Sequence, residues 1–114
     1  MDNFELEKQW EALIIKISPQ FGGDLDLQAL VFLIGVQELG KGFGKFRKDE
    51  KLDIMHIAVC ALLAPYGYYE FEGRDADGWP HWKLNDKLPA LKGAQQDHLM
   101  KEAIIDYFKE KILN

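Results

Sequence analysis

The 114-residue chain contains one cysteine and one serine, and each scarcity removes a class of chemistry. Cys60 has no second cysteine to close an internal disulfide, which favours a reducing compartment. Ser18 is followed by Pro19 in a loop-like stretch, with no base near it and no Gly-x-Ser-x-Gly elbow, so nucleophilic serine catalysis is excluded. The spacings His-x-x-x-His and Cys-x-x-Cys are also missing, and with them the usual zinc frameworks. The longest apolar run, residues 54–64, has eleven residues. That falls short of the roughly 18 to 20 needed to cross a bilayer. The opening Met1 to Lys8 shows neither a basic start nor a small-residue cleavage site and reads directly into a helix, so a cytoplasmic location is expected.

What is present describes one folded domain over residues 1–114. Hydrophobic residues make up 47% and charged residues 29%, which suits a chain that can bury a core. The net charge of −5 repels nucleic acid and anionic lipid at long range and makes a basic partner easier to approach. Neither nucleic acid nor membrane is an expected partner.

Helical periodicity covers residues 3–17, where Trp10, Leu13, Ile14 and Ile17 repeat on one side and Asp2 stands at the capping position before Glu5. Ser18-Pro19 ends this helix, and Gln20 to Gly23 reads as a loop. Asp24 or Asp26 can cap a second helix that runs to about Leu39, with apolar residues over most of its circumference. Gly35 inside it costs about 1 kcal/mol relative to alanine, and a close approach by the helix of residues 49–64 is the expected compensation. Gly40 reads as a helix cap, and the Gly-Lys-Gly-Phe-Gly stretch that it opens lacks the preceding strand of a phosphate loop. Phe43 and Phe46 are expected to pin that connection to the core.

The run Ile54 to Ala64 contains only one polar side chain, His56, so its helix must be covered on more than one side. Beyond Pro65, Tyr69 to Glu72 alternates aromatic and acidic residues, Gly73 to Gly78 supplies turn residues, and Trp79 to Leu84 returns. This predicts a hairpin over 68–84, with Pro80 at an edge or at the start of its strand. The aromatics are assigned to its core face and the carboxylates to solvent. A last helix is expected over 95–113. The expected fold class is therefore mainly α (α+β): about four helices around a buried central helix, with one β-hairpin. Its expected core combines Leu13, Ile14, Val31, Ile34, Ile54, Ala58, Leu62, Ile104 and Phe108.

The residues that carry chemistry are few. Asp53 and His56 share a helix face, but zinc needs a third ligand that only His81 or His98 could bring, so no metal and no cofactor are expected. Asp75-Ala76-Asp77-Gly78 looks like part of a calcium loop, yet registering Gly78 at its sixth position leaves Gly73 and Leu84 where carboxylates are required. A turn held by aspartate side chains explains the same residues. Glu70, Glu72, Asp75 and Asp77 beside Tyr69, Trp79 and Trp82 could in principle serve a glycosidase, but a solvated hairpin face accounts for them more simply. Cys60, amid apolar residues, reads as a small buried hydrophobe.

The order helix, turn, helix, hairpin also matches a winged helix, although residues 49–64 would present apolar side chains to the DNA groove. A degenerate, non-DNA-binding relative of that topology is one alternative. The stretch Gly67-Tyr68-Tyr69-Glu70…Asp77-Gly78-Trp79-Pro80-His81-Trp82 resembles one carried by small uncharacterised bacterial proteins, for which no named family applies. No site residue is carried over from them.

Two functional expectations follow. The leading one is a non-catalytic protein-interaction module, self-associating as a homodimer or binding another protein, with Tyr69, Trp79 and Trp82 as aromatic anchors. The other is a small enzyme or ligand-binding protein with a pocket between the hairpin and the helices, lined by His56, His81, Glu70 and Asp53. Strand alternation sends Trp79 and His81 to one face and Trp82 to the other. An interfacial His81 would affect association when removed, whereas a structural hydrogen-bonding His81 would affect stability.

Overall fold

A computed structural model of the protein describes residues 2–21, 23, 25–42, 44–85 and 91–111. Its elements in order are α1 (Asn3–Ile17), α2 (Leu27–Leu39), α3 (Lys48–Leu63), β1 (Tyr69–Arg74), β2 (Pro80–Leu84) and α4 (Ala94–Lys111), with 3-10 turns at Ser18–Phe21 and Ala64–Tyr66. Among the described residues, four helices and one antiparallel hairpin make this a mainly helical α+β fold. Two compact units are distinguished, one of Met1–Ala29 with Ala90–Asn114 and the other of Leu30–Pro89.

In the first unit, the amide of Glu5 donates to Asp2 Oδ1 at 2.8 Å, satisfying one of the free N–H groups at the start of α1. Leu6, Trp10, Leu13 and Ile17 form the buried stripe of α1, spaced four, three and four residues apart. Ile14 was expected in the core but is only half-buried, because it falls on the flank of that stripe. α4 buries Met100, Ala103, Ile104, Ile105 and Phe108. Lys101 Nζ bonds Glu7 Oε1 at 2.7 Å and sits 5.5 Å from the centre of the Trp10 ring. His98 Nδ1 lies 2.9 Å from Asn3 Oδ1, so contacts advance together along both helices and α1 and α4 run parallel. The stretch after α1, expected to be a loop from Gln20, is a 3-10 turn through Phe21, because Pro19 is tolerated in a first turn where no N–H is needed.

At the start of α2, still within the first unit, Asp26 accepts from the Ala29 amide at 2.8 Å, and Asp24 lies outside the described residues; the second unit begins at Leu30. Gly40, at φ +77°, ends the helix in the left-handed conformation that glycine tolerates. The unit's apolar centre is Val36 and Leu39 of α2 with Ile54 and Ile57 of α3, against which Phe32, Phe46, Trp79 and Trp82 pack. Each large side chain removed from water here contributes about 1.5–3 kcal/mol before entropy is counted. Phe46 meets Phe32 edge-on at 6.4 Å, as expected of a pinned connection, and Phe43 lies outside the described residues. Val31, Ile34, Ala58 and Leu62 are also buried.

β1 and β2 pair in the register Tyr69↔Leu84, Glu70↔Lys83, Phe71↔Trp82, Gly73↔His81 and Arg74↔Pro80. Pro80 opens β2, where its missing N–H breaks no interior ladder. The register slips between Phe71 and Gly73, a bulge accommodated by Gly73 at φ +108°.

Candidate functional site

Directly opposed strand residues share a face, so this register gives the hairpin one apolar face and one polar face. Tyr69, Phe71, Trp82 and Leu84 lie on the apolar side, while Glu70, His81 and Lys83 lie on the other. Without the bulge, Arg74 would fall among the polar residues; the extra residue moves it to the face of Pro80 and Trp82. From there its guanidinium reaches the free carbonyls at the end of α2. It donates through Nη2 to Glu38 at 2.8 Å and through Nη1 to Leu39 at 3.0 Å, and Nη1 also donates to Gly78 at 2.8 Å. A cation on these carbonyls opposes the negative end of the helix dipole. Lys41, just past the same helix end, donates to the Asp77 carbonyl and stands 5.5 Å from the centre of the Trp79 ring.

The turn of the hairpin is organised by Asp75. Its Oδ1 accepts from the amides of Asp77 and Trp79, both at 3.0 Å, and its Oδ2 lies 2.9 Å from His81 Nε2. The bond to His81, then the Trp79 amide, hold its carboxyl below the usual aspartate value. Both oxygens of Asp75 are thus engaged within the turn, as the aspartate-held turn requires.

The second cluster is at the α3 side of β1. The His56 ring meets Tyr69 edge-on at 6.2 Å, and its Nε2 is 3.5 Å from Cys60 Sγ. Cys60 is buried, and that burial pushes its thiol up to about 11, the opposite of what a reactive thiolate needs. Burial also raises the Tyr69 phenol, with Cys60 adding to the effect.

The seven candidate residues therefore separate. Trp79 and Trp82 both pack on the Val36, Leu39, Ile54 and Ile57 cluster, although alternation was expected to send them to opposite faces. The reason is that Trp79 precedes β2 and belongs to the turn, where alternation does not apply. Tyr69 joins His56, His81 joins Asp75 on the polar face, and Glu70 faces Lys83 across the strands. Asp53 is exposed on α3. His98 is bonded within the first unit to Asn3 and, at 2.6 Å, to Glu102. Among the described residues no three His, Cys, Asp or Glu side chains are grouped to hold a metal ion, and no helix is long and apolar enough to cross a membrane. Ser18 Oγ is buried and makes no hydrogen bond among the described residues.

Phe71 departs from the expected core placement: it is 57% exposed, although its ring touches Trp82 at a centroid distance of 5.3 Å. Leu84, on the same face, is 55% exposed. The helices meet this face around Trp82 and Tyr69, and Pro80 is buried beside Trp82, while Phe71 and Leu84 remain open. Arg74 is the residue that sequence reasoning missed. The adjacent Gly73 was a possible signal, since glycine within a strand pattern marks a bulge that changes which face the next side chain takes.

No family model, no curated protein and no solved structure matches this chain.

Proposed function

We propose that the chain is a non-catalytic protein-interaction module that works as a homodimer in the cytoplasm and presents its hairpin to another protein. The observation that supports this reading most is the open apolar face of the hairpin. Scattered exposed leucines are ordinary, but Phe71 and Leu84 adjoin two aromatics that are anchored on α2 and α3, giving a continuous apolar surface on a fixed base. Aromatic side chains held rigid in this way lose little entropy on binding and serve well as interface anchors. The net charge of −5 favours a partner whose rim is basic.

The groups best suited by type to catalysis are engaged elsewhere. His81 is spent on the Asp75 turn, and the only thiol is buried and protonated. Sedimentation equilibrium from about 10 to 500 μM tests the homodimer, and a monomer throughout that range removes this part of the reading. A photo-crosslinking residue at position 71, used in cells, should join the chain to a different polypeptide, while the same residue at Lys83 on the polar face should not. Products containing only copies of this chain would overturn the assignment of the hairpin to a separate partner.

A further inference from the structure

The outer side of α1 carries a second row of exposed residues, directly opposite its buried stripe. Phe4 is 80% exposed and Ile15 is 74% exposed, and Lys8 and Glu11 between them are exposed as well. At about 100° per residue these four positions fall within one narrow band, and their spacing of four, three and four residues is that of a coiled-coil seam. Two large apolar side chains at the ends of a surface stripe, with a cation and an anion between them, are unusual for a face meant only for water.

The arrangement is its own complement. Phe4 and Ile15 are centred on the midpoint between Gln9 and Trp10, and so are Lys8 and Glu11. If a second α1 is laid against the first in the opposite direction about a two-fold axis at that midpoint, Phe4 meets Ile15 of the other copy. Lys8 then meets Glu11 of the other copy, and the same two contacts recur by symmetry. A parallel pairing would instead set Lys8 against Lys8 and Glu11 against Glu11, which is repulsive twice over.

We propose that this face of α1 is the homodimer seam, formed with a second copy of the chain in antiparallel, two-fold symmetric contact. The inference rests on the self-association proposed above and goes beyond it by assigning the surface and the direction of pairing. Leu6, Trp10, Leu13 and Ile17 remain on their own side of the helix and take no part. The Lys8 and Glu11 layers fix register, as polar residues inside a helical seam do, while Phe4 and Ile15 supply the apolar area. A fifteen-residue helix is only about 22 Å long, so the contact is small and the dimer is weak and readily reversible.

Charge exchange tests the seam without disturbing the fold, because both charged residues are exposed. In sedimentation equilibrium, Lys8→Glu and Glu11→Lys should each weaken dimerisation about fivefold or more, since each breaks two symmetry-related pairs. The double variant K8E/E11K should restore it, and an equimolar mixture of the two single variants should associate more tightly than either alone. Phe4→Ser with Ile15→Ser should abolish dimerisation over the same concentrations. A dimer in the unaltered protein that ignores all of these changes would overturn the seam and leave self-association standing. A double charge exchange that fails to restore pairing would overturn the antiparallel geometry. An unaltered protein that stays monomeric would overturn both the seam and the self-association on which it rests.

Discussion

Gly35 of α2 and Ile54 of α3 meet backbone to side chain and backbone to backbone: a Cβ placed on Gly35 would stand 2.7 Å from Ile54 Cγ2 and 2.9 Å from the Ile54 carbonyl carbon, with the carbonyl oxygen closer still. Real carbon contacts do not reach such distances, so the crossing of the two helices depends on the missing side chain. Ile54 is itself fully buried at this point, in the centre of the second unit.

Gly35→Ala should therefore destabilise the protein although alanine is the better helix former. The propensity gain of about 1 kcal/mol is outweighed by overpacking, which commonly costs about 1–3 kcal/mol and lies at the upper end when the obstructing atoms are backbone. A net loss near 1–2 kcal/mol is expected in urea unfolding. Ile54→Ala in the same chain should not rescue it, because that change removes Cγ2 and leaves the carbonyl in place. A stabilised Gly35→Ala protein would mean that the helices do not cross at this glycine.

Arg74 offers a second test, since one side chain closes its own turn and caps α2. Arg74→Lys keeps the charge but replaces a fork of donors with a single ammonium, which cannot reach the Glu38, Leu39 and Gly78 carbonyls together. It should cost about 1–2 kcal/mol in chemical unfolding, close to the loss seen for Arg74→Ala. If lysine restored the full stability, charge near the helix end would be the whole contribution and the fork geometry would be irrelevant.

The helical part of the fold was legible because its signals are local. Asp2 and Asp26 at their caps, Gly40 at its C-terminus and Gly35 within α2 each imply a specific backbone situation, and each is found in it. The hairpin was legible as an element but not as a surface. Its bulge at Gly73 shifts Arg74 to the helix-facing side, and the end of β2 places Trp79 outside the alternating pattern. Phe71 was assigned to the core by alternation alone, yet burial depends on whether a helix reaches that far, and alternation carries no such information. The candidate site residues separated for the same reason: His56, His81 and Glu70 were grouped by residue type, whereas pairing register sends Tyr69 with His56 to one face and His81 to the other.

Cys60 predicts an alkaline limb of stability. Its thiol ionises near 11 in the folded chain against 9.0 for the unperturbed group, so the folded state holds the proton more tightly. The stabilisation from the neutral thiol is complete below the unfolded value and is lost as pH rises through the folded one. Urea midpoints should fall between about pH 9 and pH 11 in the native sequence and fall less in Cys60→Ala, once its own loss of packing is subtracted at neutral pH. Reaction with a thiol reagent near pH 8 should be slow in the folded protein and fast in urea. Rapid labelling under native conditions would show that the thiol is accessible.

His81 and Asp75 give the opposite sign. The carboxyl of Asp75 is held low first by its bond to His81 and then by the Trp79 and Asp77 amides, so its contribution is present above the ordinary aspartate value and disappears as pH falls through the lowered folded value. His81→Ala removes the largest of these causes while leaving the turn amides in place. The Asp75 carboxyl carbon, followed by NMR, should then titrate closer to the ordinary aspartate value, and the loss of stability on acidification below about pH 4 should be smaller than in the unaltered protein. At neutral pH the exposed His81 side chain should matter little, with a change under about 1 kcal/mol. Because His81 lies on the polar face of the hairpin, the dimerisation constant of His81→Ala should equal that of the unaltered chain. A weakened dimer with an unmoved Asp75 titration would instead place His81 in an interface and remove its role in the turn.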